Sequence, residues 1–161
     1  MKKIQEIEIR KAKLSEVGEI GNMQKMLNNH HRDFDKKYYA QNKNAKNIFM
    51  KWIRKRMRDR NSLLLVSLHK NKIVGYALGI VKDYPPVRKI KKHGYVSDVF
   101  VDKSYRGMGT SKRFIEDLRK WFKTKKLNYM EIHVDSRNRI GLAAWKKAGF
   151  KEIQKIALRK I

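Results

Sequence analysis

The chain has 161 residues and a formal net charge of +26, from 41 lysines and arginines against 15 aspartates and glutamates. Its length and its 41% hydrophobic content suit one domain over residues 1–161, and no apolar run approaches the ~20 residues of a membrane span. The lack of cysteine excludes disulfides, thiolate metal sites and a cysteine nucleophile, and since no apolar signal segment follows the first residues, we expect a cytoplasmic protein.

The start of the chain predicts one strand followed by two helices. Residues 7–12 alternate as a short strand does. Ser15 is placed to cap a helix whose apolar residues recur every three or four positions as far as Leu27. A second helix over residues 44–60 carries an apolar stripe within a basic surface. The adjacent His30 and His31 do not share a helix face, so we expect no metal site there.

The rest of the chain predicts five more strands and two more helices. The apolar runs 63–68 and 73–81 flank a polar turn, a pattern typical of a hairpin. A strand over 95–101, a helix over 107–124 and a strand over 129–134 follow. A short helix over 139–148 then leads into a final strand over 150–158. This order predicts an α/β (α+β) fold in which a mixed, twisted sheet of about six to seven strands is flanked by about four helices.

The segment between the strand over 95–101 and the next helix carries the strongest functional signal. Arg106, Gly107, Met108 and Gly109 form a basic, glycine-containing turn between the two elements. Glycines let a backbone approach a ligand closely, and the first N–H groups of a helix are free to bind an anion. The spacing fits neither a Walker loop nor the dinucleotide fingerprint. A plain strand–turn–helix connection with two turn glycines would have the same pattern.

This segment resembles the Arg/Gln-x-x-Gly-x-Gly/Ala motif of the GCN5-related N-acetyltransferase (GNAT) superfamily. Ser111 stands where the motif has its last small residue, and Asn138 followed by Gly149-Phe150 is similar to the closing pattern of the family. The order of elements also fits. The resemblance implies an N-acetyltransferase with acetyl-CoA as cosubstrate and no metal. It also implies a sheet that is splayed beside the strand over 95–101, where the cofactor binds.

The resemblance also assigns the cofactor-binding residues. Backbone groups of residues 99–101 are implied to pair with the pantetheine arm and to supply the oxyanion donor, and the amides of 107–112 to hold the pyrophosphate. The implied cofactor-binding residues are Val99, Phe100, Val101, Arg106, Gly107, Met108, Gly109, Thr110, Ser111, Lys112 and Asn138.

Two residues are candidates for the general base. Many GNAT members have a Glu-Asp pair where this chain has Ser97 and Asp98, and ribosomal-protein acetyltransferases have a catalytic Glu where His133 lies. Serine cannot deprotonate an ammonium group at neutral pH. Strand alternation is expected to put Asp98 on the same side as Val96 and Phe100. For each of the two catalytic candidates, Asp98 and His133, the alternative is a purely structural role. The remaining possibility for the general base is water or a residue such as Glu131.

The implied general acid departs from the family pattern. Many members have a tyrosine seven residues after the Asn, and this chain has Trp145 there. An indole N–H cannot supply a proton at usable pH. The thiolate of CoA then leaves unaided, or another residue such as Tyr95, Tyr105 or Tyr129 serves. A catalytically silent protein that only binds acyl-CoA is the alternative that this departure leaves open.

The positive net charge indicates which kinds of acceptor and partner the chain attracts. The amine acceptor is expected to be a primary amine on an acidic protein or peptide, or a small anionic amine, because a positive field repels polyamines and aminoglycosides. The same charge suits nucleic acid, for which the sequence has no supporting motif. Lysine-rich composition without any specific partner explains the charge equally well. We expect no membrane partner, and a homodimer is an expectation from the resemblance alone.

Overall fold

Five strands form one sheet within residues 6–161, the part of the chain that the computed structural model describes. They lie in chain order across the sheet, and the first four run antiparallel to their neighbours, whereas the fifth runs parallel to the fourth. The strands are β1 (Glu8–Lys11), β2 (Ser62–His69), β3 (Lys72–Asp83), β4 (Lys92–Val101) and β5 (Met130–Ile132).

Four helices cover the two faces of the sheet. They are α1 (Val17–Arg32), α2 (Ala45–Arg58), α3 (Thr110–Thr124) and α4 (Arg139–Lys147). The apolar stripes of α1 and α2 bury Val17, Ile20 and Ile53 against one face, in a cluster that includes Tyr76 and Leu78 of β3. Burial of an apolar stripe, rather than helix propensity, stabilises such helices.

The opposite face is covered by α3. Its residues Phe114, Leu118 and Phe122 pack on Val96 and neighbouring apolar side chains of the sheet. The helix approaches β4 so closely that a Cβ atom added to Gly94 would lie 2.5 Å from Cδ2 of Phe122. Glycine at this position therefore lets α3 lie directly on the strand. Within residues 6–161, no helix is both long and apolar enough to cross a membrane.

A β-bulge in β4 changes which face its side chains occupy. Gly79 of β3 pairs with Val96 and its neighbour Leu78 pairs with Asp98, so Ser97 has no partner on β3. Val96 packs with α3, whereas Leu78, and therefore Asp98, lie on the side of α1 and α2. The expectation that Asp98 shares a side with Val96 is wrong, because the extra residue interrupts the alternation.

The expected α/β architecture is confirmed, with one correction to the strand count. The sequence predicts six to seven strands, and residues 6–161 form five. The expected strand over 150–158 is absent from the sheet, because residues 150–161 pair with none of its strands and their apolar side chains Ile153, Ile156 and Leu158 remain exposed. The expected strand over 129–134 is shortened to Met130–Ile132, and the helix expected from 107 begins at Thr110.

Candidate functional site

The sheet opens between β4 and β5. The two strands pair only at Gly94, Tyr95 and Val96, although β4 continues as far as Val101. The amide of Asp102 donates to the carbonyl of Val74 on β3. Because successive backbone groups of a strand point to opposite edges, those of Val99 and Val101 point into the opening.

Phe100 differs from its two neighbours. The same alternation directs its backbone toward β3, and its side chain is buried in the cluster beneath α1 and α2. Of the three residues expected to pair with a pantetheine arm, Val99 and Val101 therefore offer backbone groups at the open edge, and Phe100 anchors the strand.

A glycine-containing loop follows β4 at the open edge. The carboxylate of Asp102 accepts a hydrogen bond of 3.0 Å from the amide of Ser104 and so fixes the start of the loop. Gly107 and Gly109 then adopt φ angles of +79° and +76°. This left-handed conformation disfavours other residues, and it turns the chain directly into α3.

The loop leaves a row of free amides at the start of α3. Within residues 6–161, no backbone carbonyl accepts a hydrogen bond from the amides of 107–112, and the first such bond joins Arg113 to Gly109 at 3.1 Å. The helix dipole adds partial positive charge at the same place. Met108 of this loop and Lys112 in the first turn of α3 are exposed. The guanidinium of Arg106 donates from Nε to the carbonyl of Val101 over 3.0 Å. The arrangement fits a bound phosphate group.

Two residues of the expected motif, at the start of α3, are more buried than the loop before it. Thr110 is buried, and its hydroxyl has no hydrogen-bond partner among the described residues. Ser111 is half-buried. Their backbone amides, rather than their side chains, belong to the set of amides of 107–112 that donate to no backbone carbonyl.

Asp98 lies beside the bulge and is held by two hydroxyl groups. Its carboxylate accepts hydrogen bonds from the hydroxyl of Tyr76 at 2.8 Å and from that of Ser97 at 3.0 Å. Burial raises the pKa of Asp98, and the two hydrogen bonds oppose the rise. Burial also holds the pKa of Tyr76 well above its usual range. Asp98 is therefore a carboxylate with an elevated proton affinity.

His133 follows β5 at the mouth of the opening. Its ring is exposed and lies 4.9 Å from the ring of Tyr95, edge to face. Tyr95 pairs with Ile80, whose side chain packs beneath α1 and α2. The structure thus brings His133 and Asp98 to the same face of the sheet, on either side of the opening.

His31, at the end of α1, is a residue of this face that the sequence did not indicate. Burial lowers the pKa of His31, and the charge of His30 adds to that effect, whereas the negative charges of Asp98 and Asp135 oppose it. The ring of His31 lies 5.2 Å from that of Tyr39, whose hydroxyl donates to Asp135. Because His31 lies on a helix far from β4 and β5 in sequence, no local pattern indicates this placement.

A hydrogen-bonded network ties the connection after α1 to the segment after β5. The hydroxyl of Tyr39 donates to Asp135 at 2.9 Å, and Arg137 bridges Asp135 at 2.8 Å and Asp35 at 3.5 Å. The bond to Arg137 holds the pKa of Asp135 well below its usual range. Burial, followed by the bond to Asp135, raises the pKa of Tyr39 to about 12. The network fixes one wall of the opening.

Glu131, a further base candidate, is already engaged. It accepts a hydrogen bond from the hydroxyl of Tyr84, and His93 Nε2 lies 3.4 Å from its other oxygen. The rings of Tyr84 and His93 stack at 4.0 Å, and burial lowers the pKa of His93. This cluster closes the end of the sheet where β4 and β5 are still paired.

Asn138 and Trp145 belong to α4. The side-chain oxygen of Asn138 accepts a hydrogen bond of 2.8 Å from the amide of Gly141 and caps the helix. Trp145 packs against the cluster beneath α3, with its ring 6.3 Å from that of Phe150. Within the described residues, no group of three or more His, Cys, Asp or Glu side chains is placed to hold a metal ion.

The family model of the acetyltransferase (GNAT) family matches residues 23–150. No curated protein matches the chain. Among solved structures, a mutant of the BH1408 protein from Bacillus halodurans has a TM-score of 0.85 and 20% identity, and the match covers 96% of this chain and 99% of that one.

Two other solved structures contain CoA or acetyl-CoA. The aminoglycoside N-acetyltransferase AAC(6')-Iy in complex with CoA has a TM-score of 0.78 and 15% identity, over 97% of this chain and 95% of that one. A predicted acetyltransferase from Clostridium acetobutylicum with acetyl-CoA has a TM-score of 0.77 and 16% identity, over 96% of each chain. These matches show a shared fold.

The network after α1 gives a spectroscopic prediction. Asp135→Asn should lower the pKa of Tyr39 from about 12, because a neutral amide no longer disfavours the phenolate, and burial alone should keep that pKa above 10. NMR of ¹³C-labelled tyrosine measures the titration. In the control variant Glu116→Gln, on the outer side of α3, the Tyr39 titration should not move. An unchanged Tyr39 pKa in Asp135→Asn would contradict the network.

Proposed function

The chain belongs to the acetyltransferase (GNAT) family, and we propose that it transfers an acetyl group from acetyl-CoA to a primary amine. The observation that carries the proposal is the opening beside β4, with the free amides of 107–112 at one end of it. The open edge suits an extended pantetheine arm, and the amides suit a pyrophosphate. Solved structures of the same fold are complexes with CoA and acetyl-CoA.

The cofactor is held mainly by backbone groups in this proposal. Val99 and Val101 bind the pantetheine arm as a neighbouring strand would, and the amide of Val99 or Val101 stabilises the developing oxyanion. The amides of 107–112 bind the pyrophosphate, and the exposed Lys112 adds a positive charge beside it. Backbone donors of this kind are fixed before the reaction and need no rearrangement during it.

The reaction is a direct displacement. The neutral amine attacks the thioester carbonyl, the C–N bond forms, the C–S bond breaks, and the amine proton passes to a base while CoA leaves as thiolate or thiol. Holding amine and thioester side by side supplies a large part of the rate. No covalent enzyme intermediate is needed, in keeping with a chain without cysteine.

We assign the role of general base to His133, with Asp98 as the second candidate. The imidazole of His133 is exposed at the mouth of the opening, where an incoming amine can reach it. Both oxygens of Asp98 already accept hydrogen bonds, from Tyr76 and Ser97. In this assignment Asp98 positions β4 and the bulge, and His133 exchanges the proton.

The departing sulfur has no tyrosine donor at position 145. Trp145 packs into the cluster beneath α3, and its indole cannot protonate a thiolate. A thiol with a pKa near 8–9 leaves without assistance at a tolerable rate. The tryptophan at position 145 also supports the second candidate function, a protein that binds acyl-CoA without turnover.

The acceptor is proposed to carry negative charge near its amine. Lys82 lies with its ammonium 3.4 Å from the centre of the Tyr95 ring, next to the opening. Burial and then the charge of Arg56 lower the pKa of Lys82. Arg56 lies on α2, whose apolar stripe packs on the same face of the sheet. Together with the net charge of +26, the two cations favour an acidic peptide, an acidic protein or a small anionic amine over a polycationic aminoglycoside.

The proposed activity is tested by release of free thiol from acetyl-CoA with a panel of amines. We expect steady release with acidic peptides or anionic amines and much less with spermidine or aminoglycosides. Binding of CoA without release from any amine would support the silent protein. Salt-dependent binding to duplex DNA together with no affinity for CoA would overturn the proposal.

Substitution in the loop should weaken cofactor binding. Gly109→Ala forces an alanine into the left-handed region at a cost of about 1–2 kcal/mol, which shifts the free amides and should raise the Kd for CoA about tenfold. Isothermal calorimetry measures the affinity. The matched control is Gly149→Ala, which carries the same strain at φ +93° but lies beyond α4. This control should lose stability and keep its affinity, and an equal loss of affinity in both variants would contradict the assignment.

The assignment of the base is tested by the rate constants of two variants, measured at one pH with an amine acceptor that is largely neutral at that pH. His133→Ala should reduce kcat about 100-fold, because the attacking amine then has no base to take its proton. Asp98→Asn should reduce kcat less. If Asp98→Asn caused the larger loss instead, Asp98 would be the base, in keeping with its raised pKa. Full activity in both variants would exclude both residues.

A further inference from the structure

The outer side of α2 carries a row of exposed cations. Successive residues of a helix are rotated by about 100°, and the side opposite the fully buried Ile53 holds four lysines and arginines. These residues, the basic stripe of α2, are all exposed and are Lys51, Arg54, Lys55 and Arg58. The stripe extends about 10 Å along the helix axis. It belongs to a stretch, residues 36–58, that has nine lysines and arginines and no acidic residue.

The basic stripe reduces the stability of the helix that carries it. Positions 51 and 55 are four residues apart, as are positions 54 and 58, and like charges at this spacing repel each other. The helix dipole stabilises cations in the last turn only, so it does not account for Lys51 and Arg54. The carboxylate next to the end of the helix, Asp59, pairs with Arg56 at 3.2 Å rather than with the stripe. An anionic partner would relieve this repulsion.

The connection between β3 and β4 carries a second group of exposed cations, namely Arg88, Lys89 and Lys91. Residues 84–97 contain no acidic residue. The amide of Tyr84 donates to the carbonyl of Lys91 over 2.8 Å, and the guanidinium of Arg88 lies 4.6 Å from the centre of the Tyr84 ring. Lys91 donates to the carbonyl of Pro86, which is neutral and leaves the charge of the lysine in place. The connection therefore presents its positive charges on an ordered backbone.

The two groups of cations lie at the same end of the sheet and together form one basic surface. The amide of Val81 near the end of β3 donates to the carbonyl of Asn61, which follows α2, over 2.8 Å. From this end, β4 runs from Lys92 to Val101 and leads into the glycine-containing loop. A strand of that length extends about 30 Å. The basic surface is therefore separate from the free amides of 107–112.

The composition of the basic surface favours DNA over the other macromolecules. Protein interfaces are poor in lysine and rich in aromatic residues, whereas interfaces with DNA are strongly positive. On the outer side of α2, which the structure describes throughout, Asn47 and Ile48 accompany the stripe and no aromatic residue does. Single strands bind by stacking on aromatic side chains. A helix on the surface suits the wide major groove of B-DNA, about 12 Å across, better than the deep and narrow one of RNA.

We propose that the basic surface binds duplex DNA through its phosphate backbone. The basic stripe and the cations of the β3–β4 connection neutralise phosphates and release the counterions that surround them. Contacts with phosphates position a protein on a duplex and do not read its sequence. The phosphates also relieve the repulsion within the stripe. The cofactor loop takes no part in this contact, so the chain binds DNA and CoA at the same time.

The first test measures binding by fluorescence anisotropy of a short labelled DNA duplex at several salt concentrations. Lys51→Gln combined with Lys55→Gln should weaken binding about tenfold and lower the slope of log Kd against log salt concentration by about two. The matched control, Lys120→Gln with Lys123→Gln, removes the same charge from exposed positions of α3 on the other face of the sheet and should leave both quantities nearly unchanged.

Thermal melting followed by circular dichroism excludes unfolding as the cause of weaker binding. The variant of positions 51 and 55 should melt at or above the temperature of the parent chain, because it removes a repulsion between like charges. Equal losses of DNA affinity in this variant and in the control would show that net charge alone attracts DNA, and would overturn the proposal.

The second test locates the bound duplex by NMR of ¹⁵N-labelled protein. The largest shifts should fall on residues 47–58 and 88–92, and saturating CoA should leave the Kd for DNA unchanged. Shifts centred on 107–112, or displacement of the duplex by CoA, would overturn the proposal because DNA would then occupy the cofactor site.

Competing ligands complete the test. Tighter binding to an RNA duplex of the same sequence, or to polyglutamate as a mimic of an acidic protein, would also overturn the assignment to DNA. None of these readouts depends on acetyl transfer. A chain that releases thiol from acetyl-CoA and does not bind DNA would refute this inference alone, and the proposed activity would stand.

Discussion

The structure depends on the point at which β4 and β5 stop pairing. The two strands share only three residue pairs, ending at Val96 and Ile132, and β4 then continues with one edge open. Unpaired backbone groups at such an edge need other hydrogen-bond partners. The open edge of β4 is therefore where we propose that the cofactor binds as an extended ligand.

The bulge at Ser97 and the packing of α3 set up that edge. The bulge moves Asp98 onto the face of α1 and α2, where Tyr76 and Ser97 hold it. On the other face, the contact between Gly94 and Phe122 brings α3 close to β4, and the start of α3 presents its free amides next to the opening. Packing on the two faces therefore fixes the two halves of the site independently.

Sequence patterns predicted the features that depend on residues close together in the chain. These features are the glycine turn before α3, the hairpin of β2 and β3 and the apolar stripes of the helices, and the structure has all of them. The bulge depends on a register with β3 that no local pattern encodes. The network of Tyr39, Asp135 and Arg137 joins segments nearly a hundred residues apart, and His31 lies beside Tyr39 of that network. The strand predicted over 150–158 did not form for a related reason. Whether a segment becomes a strand depends on its pairing with the edge of a sheet, and the sequence of the segment does not specify that pairing.

The proposed cofactor site at the open edge of β4 is tested most directly by adding CoA to ¹⁵N-labelled protein and following its amide resonances by NMR. The largest shifts should fall on residues 107–112 and on Val99 and Val101, with smaller ones on Phe100, whose backbone faces β3. Absence of shifts at saturating CoA, or shifts centred on a surface away from the opening of β4, would contradict it.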